Sequence, residues 1–397
     1  MPAPASPRKS AALKVAVIGA GIIGLSVALE LRARGAEVVV YDAGVDLGAG
    51  ATIRSAGMLG AAFEWAVEED QRALAALARH AGMLWPDFAA RVERLAGAGI
   101  EFSSEGALVV ARTPGELEWI EGIAAACQAR GLPVQRLSAS EMRRIEPALG
   151  EGLSGGLLLP EDRQVDASLA LQRLGAALSR QGVGLRLGRS IERVVGGAMF
   201  QMPDGDRFAR VVVATGAGAL PDFVGPRGAA LGHGLPASVP VKGQMLALAP
   251  MAGAPRHVIH TRDTYIAPKA RWTLVGASSE RGKRDLEVDH NVIADLKRRA
   301  VAIAPTLANT PELTAWAGIR PGSPDDAPLI GQTAIPGVFA ALGHFRNGVL
   351  FAPATAELIA EQVIDGKVSP LAAAFDPLRF DKDGEASHSP SGAGLTN

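Results

Sequence analysis

The sequence predicts an α/β fold built on a parallel sheet, joined to an α+β part that carries an antiparallel sheet. Three observations predict it. A strand–helix–strand unit of about 30 residues opens the chain. Residues 240–278 form a strand-rich stretch. Short apolar runs at 210–214 and 338–342 lie far downstream of the first unit, each leading into a glycine-bearing turn.

The elements follow in order. Residues 14–18 read as a buried strand through Val15, Val17 and Ile18. Gly19-Ala20-Gly21 is a turn, residues 22–34 a helix, and Gly35 its C-cap. Residues 37–42 are a second strand, and the helical crossover makes the pair parallel. Residues 66–98 look largely helical. Residues 116–130 form a helix with Trp119, Ile120, Ile123 and Ala124 on one face, which Cys127 continues as core. Residues 167–181 are an amphipathic helix. Residues 210–214 form a buried strand ending at Thr215-Gly216. Residues 241–248, 257–267 and 273–277 alternate as antiparallel strands with tight connections. A helix at 292–304, a strand at 338–342, a Gly/Asn loop and a helix at 353–363 complete the reading.

A chain of 397 residues suggests two or three domains, at roughly 100–200 residues each. Glycine, with 47 residues, exceeds its usual ~7% share, so the backbone turns tightly or approaches neighbours closely in many places. The 40 basic and 41 acidic residues nearly cancel. With no basic stripe, a nucleic-acid partner is not expected. Arg281-Gly282-Lys283-Arg284, flanked by Glu280, Asp285 and Glu287, reads as a solvated loop. The single cysteine, Cys127, forms no intrachain disulfide, and a reducing cytoplasm is the expected compartment. Arg8 and Lys9 before the apolar stretch 15–29 imitate a signal peptide. The stretch is shorter than the ~20 residues of a membrane span, and cleavage would destroy the glycine motif, so no membrane association is expected. Residues 1–12 and 383–397 read as a disordered arm and tail.

Gly19-x-Gly21-x-x-Gly24 sits between a strand and a helix. The first glycine permits the turn, the second lets main chain approach a pyrophosphate, and the third packs helix against strand. Ala20, Ile22 and Ile23 complete a helix N-terminus whose amides and dipole favour phosphate. Asp42 ends the second strand, placed to bond a ribose hydroxyl. The fingerprint alone leaves NAD and FAD open. Three later features favour FAD. Gly50, Ala51 and Thr52, then Ser55, Ala56, Gly57, Met58 and Leu59, give a small-residue run against which a planar ring fits. Ala214, Thr215 and Gly216 end an apolar strand in small residues. His344, Phe345, Arg346, Asn347, Gly348, Val349 and Leu350 lead into a helix whose amides would stabilise negative charge on a reduced flavin.

With these features in hand, the chain resembles the D-amino-acid-oxidase-like family of FAD-dependent oxidoreductases, and within it the glycine oxidases of thiamine biosynthesis. The match is carried by residues 55–59 (SAGML), 241–244 (VKGQ), 265–268 (YIAP), 316–328 (WAGIRPGSPDDAP) and 343–358 (GHFRNGVLFAPATAEL), and it extends over about residues 14–380. The resemblance implies a Rossmann-like FAD-binding domain of glutathione-reductase type (13–90, 150–225 and 316–382) interleaved with an antiparallel-sheet substrate domain (91–149 and 226–315). It adds Ala43, Ile191 and Arg320 to the cofactor's neighbours. It implies oxidative deamination of glycine, a small (D-)amino acid or a secondary amine: hydride passes from Cα to flavin N5, the imine is hydrolysed, and oxygen is reduced to hydrogen peroxide.

The chemistry then needs a carboxylate clamp more than an acid–base pair. Arg320 is the main candidate, since a guanidinium holds a carboxylate through two parallel hydrogen bonds. Tyr265 is expected to bond the same carboxylate, Arg346 to assist it or brace its loop, and Met58 to touch flavin and substrate. Ser279 stands where some relatives have a methionine, and Lys269-Ala270-Arg271-Trp272 replaces their glycine-containing turn. Cys127, on a helix away from the flavin motifs, argues for non-covalent FAD. His257-x-x-His260 would point to opposite faces of a strand, so no metal is expected. The partners expected are a small amino acid or amine and molecular oxygen, with self-association left open. A dehydrogenase passing electrons to a quinone, an NAD(P) enzyme and a non-catalytic flavin-binding protein are the competing readings.

Overall fold

The structure, a computed structural model, describes residues 12–67 and 72–380. The expected arm, apart from residue 12, and the expected tail lie outside the described residues.

Two sheets organise the chain. In the six-stranded sheet, Lys14–Ile18 pairs in parallel with Glu37–Tyr41 on one side and Arg210–Val213 on the other. Val338–Leu342 adds in parallel beyond Arg210–Val213, Leu329–Gln332 closes that edge antiparallel, and Gly184–Arg186 closes the opposite edge. The central strands are rich in β-branched residues because both faces are covered. Helices Ile22–Ala33, Ala167–Arg180 and Gly348–Ala360 supply Leu25, Leu174 and Phe351 to one core, and Phe200, Phe208 and Phe223 fill the other side.

The nine-stranded sheet runs in the order Glu280–Arg281, Val239–Leu248, Trp272–Gly276, Tyr265–Lys269, Val258–His260, Ala107–Ala111, Gly155–Leu159 and Gln135–Leu137. Glu312–Gly322 pairs along the other side of the long strand Val239–Leu248. Helix His290–Ile303 packs Ile293, Leu296 and Ala300 against its back.

The differences from the sequence reading have physical causes. Residues 257–267 are not one strand but two, because Thr261 closes a turn: its amide donates to the Thr264 carbonyl at 2.8 Å and its hydroxyl accepts from the Thr264 amide at 3.0 Å. The last long helix starts at Gly348, ahead of the expected 353, with Pro353 inside it. Proline commonly marks a first turn, and here that preference misplaces the boundary. The helix expected from residue 66 is resolved as Ala61–Val67 and Arg72–Ala96. Ala107–Ala111, Gly155–Leu159 and Glu312–Gly322 are strands beyond those the sequence predicts. Gly155–Leu159, within a segment assigned to the cofactor domain, belongs to the nine-stranded sheet, and Glu312–Gly322 crosses the expected boundary at 316. No helix among the described residues is long and apolar enough to cross a membrane.

Candidate active site

A cavity of about 1080 Å³ runs from the carboxyl ends of the six-stranded sheet to the face of the nine-stranded sheet. At its first end the walls are largely main chain. Gly19 has φ +116°, and a Cβ there would stand 2.2 Å from the Ala214 carbonyl oxygen. A Cβ on Gly24 would meet the Gly19 carbonyl oxygen at 1.9 Å. Gly24 therefore serves strand–helix packing and does not line the cavity. Asp42 lines it, but its carboxylate is already engaged: Oδ2 accepts from the Ala20 amide at 2.6 Å and Oδ1 from the Gly44 amide at 2.7 Å. A ribose hydroxyl would use its remaining lone pairs. Thr52 Oγ1 accepts from the Ile22 amide at 3.1 Å and fixes the small-residue loop against the helix start.

Two further features face this end. Thr215 Oγ1 is buried without a hydrogen-bond partner in a residue that lines the cavity. The first turn of Gly348–Ala360 also opens onto it through Gly348, Val349 and Leu350, presenting amides that lie too early for intrahelical partners. His344, just before that turn, bonds Thr355 Oγ1 through Nε2 at 2.9 Å, and burial pushes its pKa down to about 3.

At the other end the walls are side chains held over glycines. Tyr265 is paired across the sheet with Gly276, and a Cβ on Gly276 would stand 2.5 Å from the tyrosine oxygen. Arg320 lies diagonally from Gly243, where a Cβ would stand 2.4 Å from the guanidinium. The two bare glycines let both side chains lie flat across the sheet towards each other. Arg320 Nη1 donates to the Ser278 carbonyl at 3.1 Å, and among the described residues no carboxylate forms an ion pair with it. Burial lowers its pKa, with Tyr265 opposing and Arg346 adding to the shift. The Tyr265 hydroxyl donates to Met245 Sδ at 3.4 Å, a weak acceptor, and burial raises its pKa to about 12. A half-buried cation beside a neutral phenol, with no counter-charge paired to it among the described residues, is a site for an anion.

Arg346 pairs with Glu64 at 3.0 Å, and Asn347 Nδ2 donates to the same carboxylate oxygen at 3.0 Å. This ties the loop before Gly348 to the helix Ala61–Val67. Met58 lines the cavity and pairs with Gln164 in a short two-stranded ladder.

All the sequence-predicted site residues line this one cavity except Gly24 and Leu59; Leu59 is buried in the core. Gly318 also lines the cavity, and its bareness accommodates Arg54: a Cβ there would stand 2.9 Å from Arg54 Cβ. Ser279 is exposed and lines the cavity. The Lys269–Trp272 turn points away from it, with Lys269 Nζ on Gln164 Oε1 at 2.7 Å and its pKa lowered to about 7 by burial. Cys127 is buried outside the cavity lining, its thiol pushed up to about 11 by burial. His257 lies outside the strand and bonds Glu146 at 3.0 Å, whereas His260 lines the cavity. Sequence reasoning missed Phe63, Glu64, Gly243, His260 and Gly276. The glycines had one signal, their place inside segments that otherwise read as strands.

Comparison with known proteins supplies the remaining findings. Residues 14–362 match the FAD dependent oxidoreductase (DAO) family. The chain is 32% identical to the "Bifunctional protein ThiO/ThiG" of Nostoc sp. over 378 residues, covering 93% of this chain and 55% of that protein. It thus spans about half the length of that relative. It is 31% identical to a glycine oxidase of Geobacillus kaustophilus, covering 88% of this chain and 92% of that one. The crystal structure of glycine oxidase from Geobacillus kaustophilus superposes with a TM-score of 0.80 at 29% identity, over 92% of this chain and 99% of that chain.

Proposed function

Because this chain belongs to the family of FAD-dependent oxidoreductases (DAO), we propose that it oxidises glycine, another small amino acid or a small secondary amine, held by its carboxylate on Arg320 and Tyr265. FAD, not a nicotinamide, is its cofactor, and amine oxidation of the glycine-oxidase type is its class of reaction.

The residues present fit FAD. The Gly19–Ala20–Gly21 turn and the start of helix Ile22–Ala33 would take the pyrophosphate, and Asp42 the ribose. The unpartnered Thr215 hydroxyl would gain a polar partner. Nothing stands within 4 Å of a Cβ built on Gly50 or Gly216, so both border open space. The amides of Gly348, Val349 and Leu350 would face the flavin edge where negative charge develops. Cys127 lies off the cavity, which favours a non-covalent flavin. When bound, FAD supplies the acceptor for the hydride leaving the substrate Cα and passes the electrons to oxygen, giving hydrogen peroxide.

The chain's own part is to hold and orient. Arg320 and Tyr265 fix two carboxylate oxygens and so fix the direction of the Cα–H bond, the kind of positioning that lowers a barrier without acid–base chemistry. Met58 and Met245 border the same space with apolar surface. The imine is left to hydrolysis by water. A place in thiamine biosynthesis, which the resemblance implies, is part of this reading.

The observation that carries this reading is the half-buried Arg320 guanidinium, laid over Gly243 beside Tyr265 and paired with no carboxylate among the described residues. Mixing glycine with the flavin-loaded protein without air is expected to bleach the flavin, and admitting oxygen to yield one peroxide per glycine. Bleaching with almost no peroxide would replace oxygen by another electron acceptor. No bleaching by glycine or any small amino acid or amine would remove the amine-oxidase reading.

A further inference from the structure

The strand order places Glu312–Gly322, Val239–Leu248, Trp272–Gly276, Tyr265–Lys269 and Val258–His260 side by side. Arg320 therefore lies on one side of Tyr265 and His260 on the other. His260 is the direct cross-strand partner of Tyr265, and directly opposed side chains share a face, with Cβ atoms about 5 Å apart. The imidazole is 5% exposed, lines the cavity and stacks on Phe63 with ring centroids 4.2 Å apart and 14° between planes. Phe63 in turn meets Trp119 edge-on at 6.3 Å. These three rings, from separate elements, wall the cavity on the side of Tyr265 away from Arg320.

His260 Nε2 is buried and has no hydrogen-bond partner. A histidine recruited for packing alone would find a partner for such a nitrogen, since an orphaned buried polar atom is costly. The ring is neutral near pH 7: burial lowers its pKa to about 4, and the charge on Arg346 adds to that. It offers one donor and one acceptor rather than a charge. A metal role has no support, as no cluster of potential ligands occurs among the described residues and His257 is engaged by Glu146.

We propose that His260 is a specificity-determining residue: the compartment it forms with Phe63 and Trp119 receives the substrate's Cα substituent, and Nε2 hydrogen-bonds a hydroxyl or amide carried there. The inference rests on the amino-acid reading above and names the substrate class within it, a small amino acid with a polar uncharged side chain. A site built to bond a polar group discriminates against the isostere lacking it, because the site's own polar atom is then left unpaired.

Anaerobic flavin reduction of the loaded enzyme by glycine and by both enantiomers of serine and alanine tests this. For the reactive enantiomer, serine is expected to exceed alanine about tenfold in the second-order rate of bleaching, the scale of one buried hydrogen bond. His260→Phe keeps the ring stack and should bring the ratio close to one; His260→Gln, which keeps an amide near the same place, should restore part of it. A wild-type ratio at or below one, or a ratio unchanged in His260→Phe, overturns the proposal. If His260→Phe does not retain flavin, the wild-type ratio and a partial loss of preference in His260→Gln decide. Bleaching by glycine with both chiral substrates inert overturns the proposal and leaves the oxidase reading standing. No bleaching by any of them overturns that reading first.

Discussion

The two ends of the cavity are made of different material. The cofactor end is mostly backbone: the turn at Gly19, the helix starts at Ile22 and Gly348, and a loop of small residues. The substrate end is mostly side chains, Arg320, Tyr265 and His260, laid over the sheet where Gly243 and Gly276 leave it bare. Backbone recognition tolerates a change of side chain chemistry but not an added Cβ. Side-chain recognition tolerates neither loss of the group nor loss of the bare floor beneath it. Substitutions at the two ends should therefore fail in different ways.

The largest effect is expected from Gly24→Val. The new Cβ would fall 1.9 Å from the Gly19 carbonyl oxygen, a main-chain atom held in the turn. Relief requires the helix Ile22–Ala33 to move off its strand, at a cost of about 3 kcal/mol or more. The protein should purify without the yellow of bound flavin, or fail to accumulate. Flavin bound in stoichiometric amount would show that the turn does not hold the cofactor end together.

Arg320→Ala attacks the other end. Removing one partner of a desolvated charge pair costs roughly 2–5 kcal/mol, so the second-order rate of flavin reduction should fall by about two orders of magnitude or more. Flavin content should stay close to wild type, which separates this failure from that of Gly24→Val. Unchanged reduction kinetics would remove Arg320 from the clamp.

The same contrast explains how far the sequence could be read. The Gly19–Gly24 fingerprint works within one turn, so its function lies in consecutive residues and the motif alone places it. Gly24 shows a limit even there, since it touches packing and not the ligand cavity. The clamp is assembled by pairing Glu312–Gly322 with Val239–Leu248, and Glu312–Gly322 carries Pro321 and two glycines that argue against a strand. Resemblance points to Arg320; strand periodicity does not. In the sequence His260 is half of a two-histidine pattern; what makes it notable, the stack on Phe63 and the unpartnered nitrogen, exists once the fold brings together residues about 200 positions apart along the chain. Phe63 and Glu64 lie on the short helix Ala61–Val67, where no periodic signal is long enough to assign a face.

The smallest expected effect lies at the seam between the two ends. Asp162 follows the strand Gly155–Leu159 of the nine-stranded sheet and precedes the Arg163–Gln164 pairing with Met58–Leu59. Its carboxylate accepts from the Ala62 amide at 2.7 Å and the Phe63 amide at 3.2 Å, and so holds the start of the helix that carries Phe63 and Glu64. Burial raises its pKa from 3.8 to about 7, with the two amides opposing the shift. Between those pH values the folded chain keeps a proton that the unfolded chain has released. Stability from this group therefore falls as pH rises from about 4 to 7 and levels off above. Asp162→Asn does not titrate there, so its stability relative to wild type should improve over that interval, by on the order of 1–3 kcal/mol. Denaturant melts of both proteins at pH 4.5, 6 and 8 measure the difference, and the Asn variant's single remaining acceptor adds only a constant offset. Parallel pH profiles would mean that Asp162 is ionised throughout, held by the helix amides more strongly than burial disfavours its charge; the seam would then be an electrostatic joint at every pH rather than one that loosens as the proton leaves.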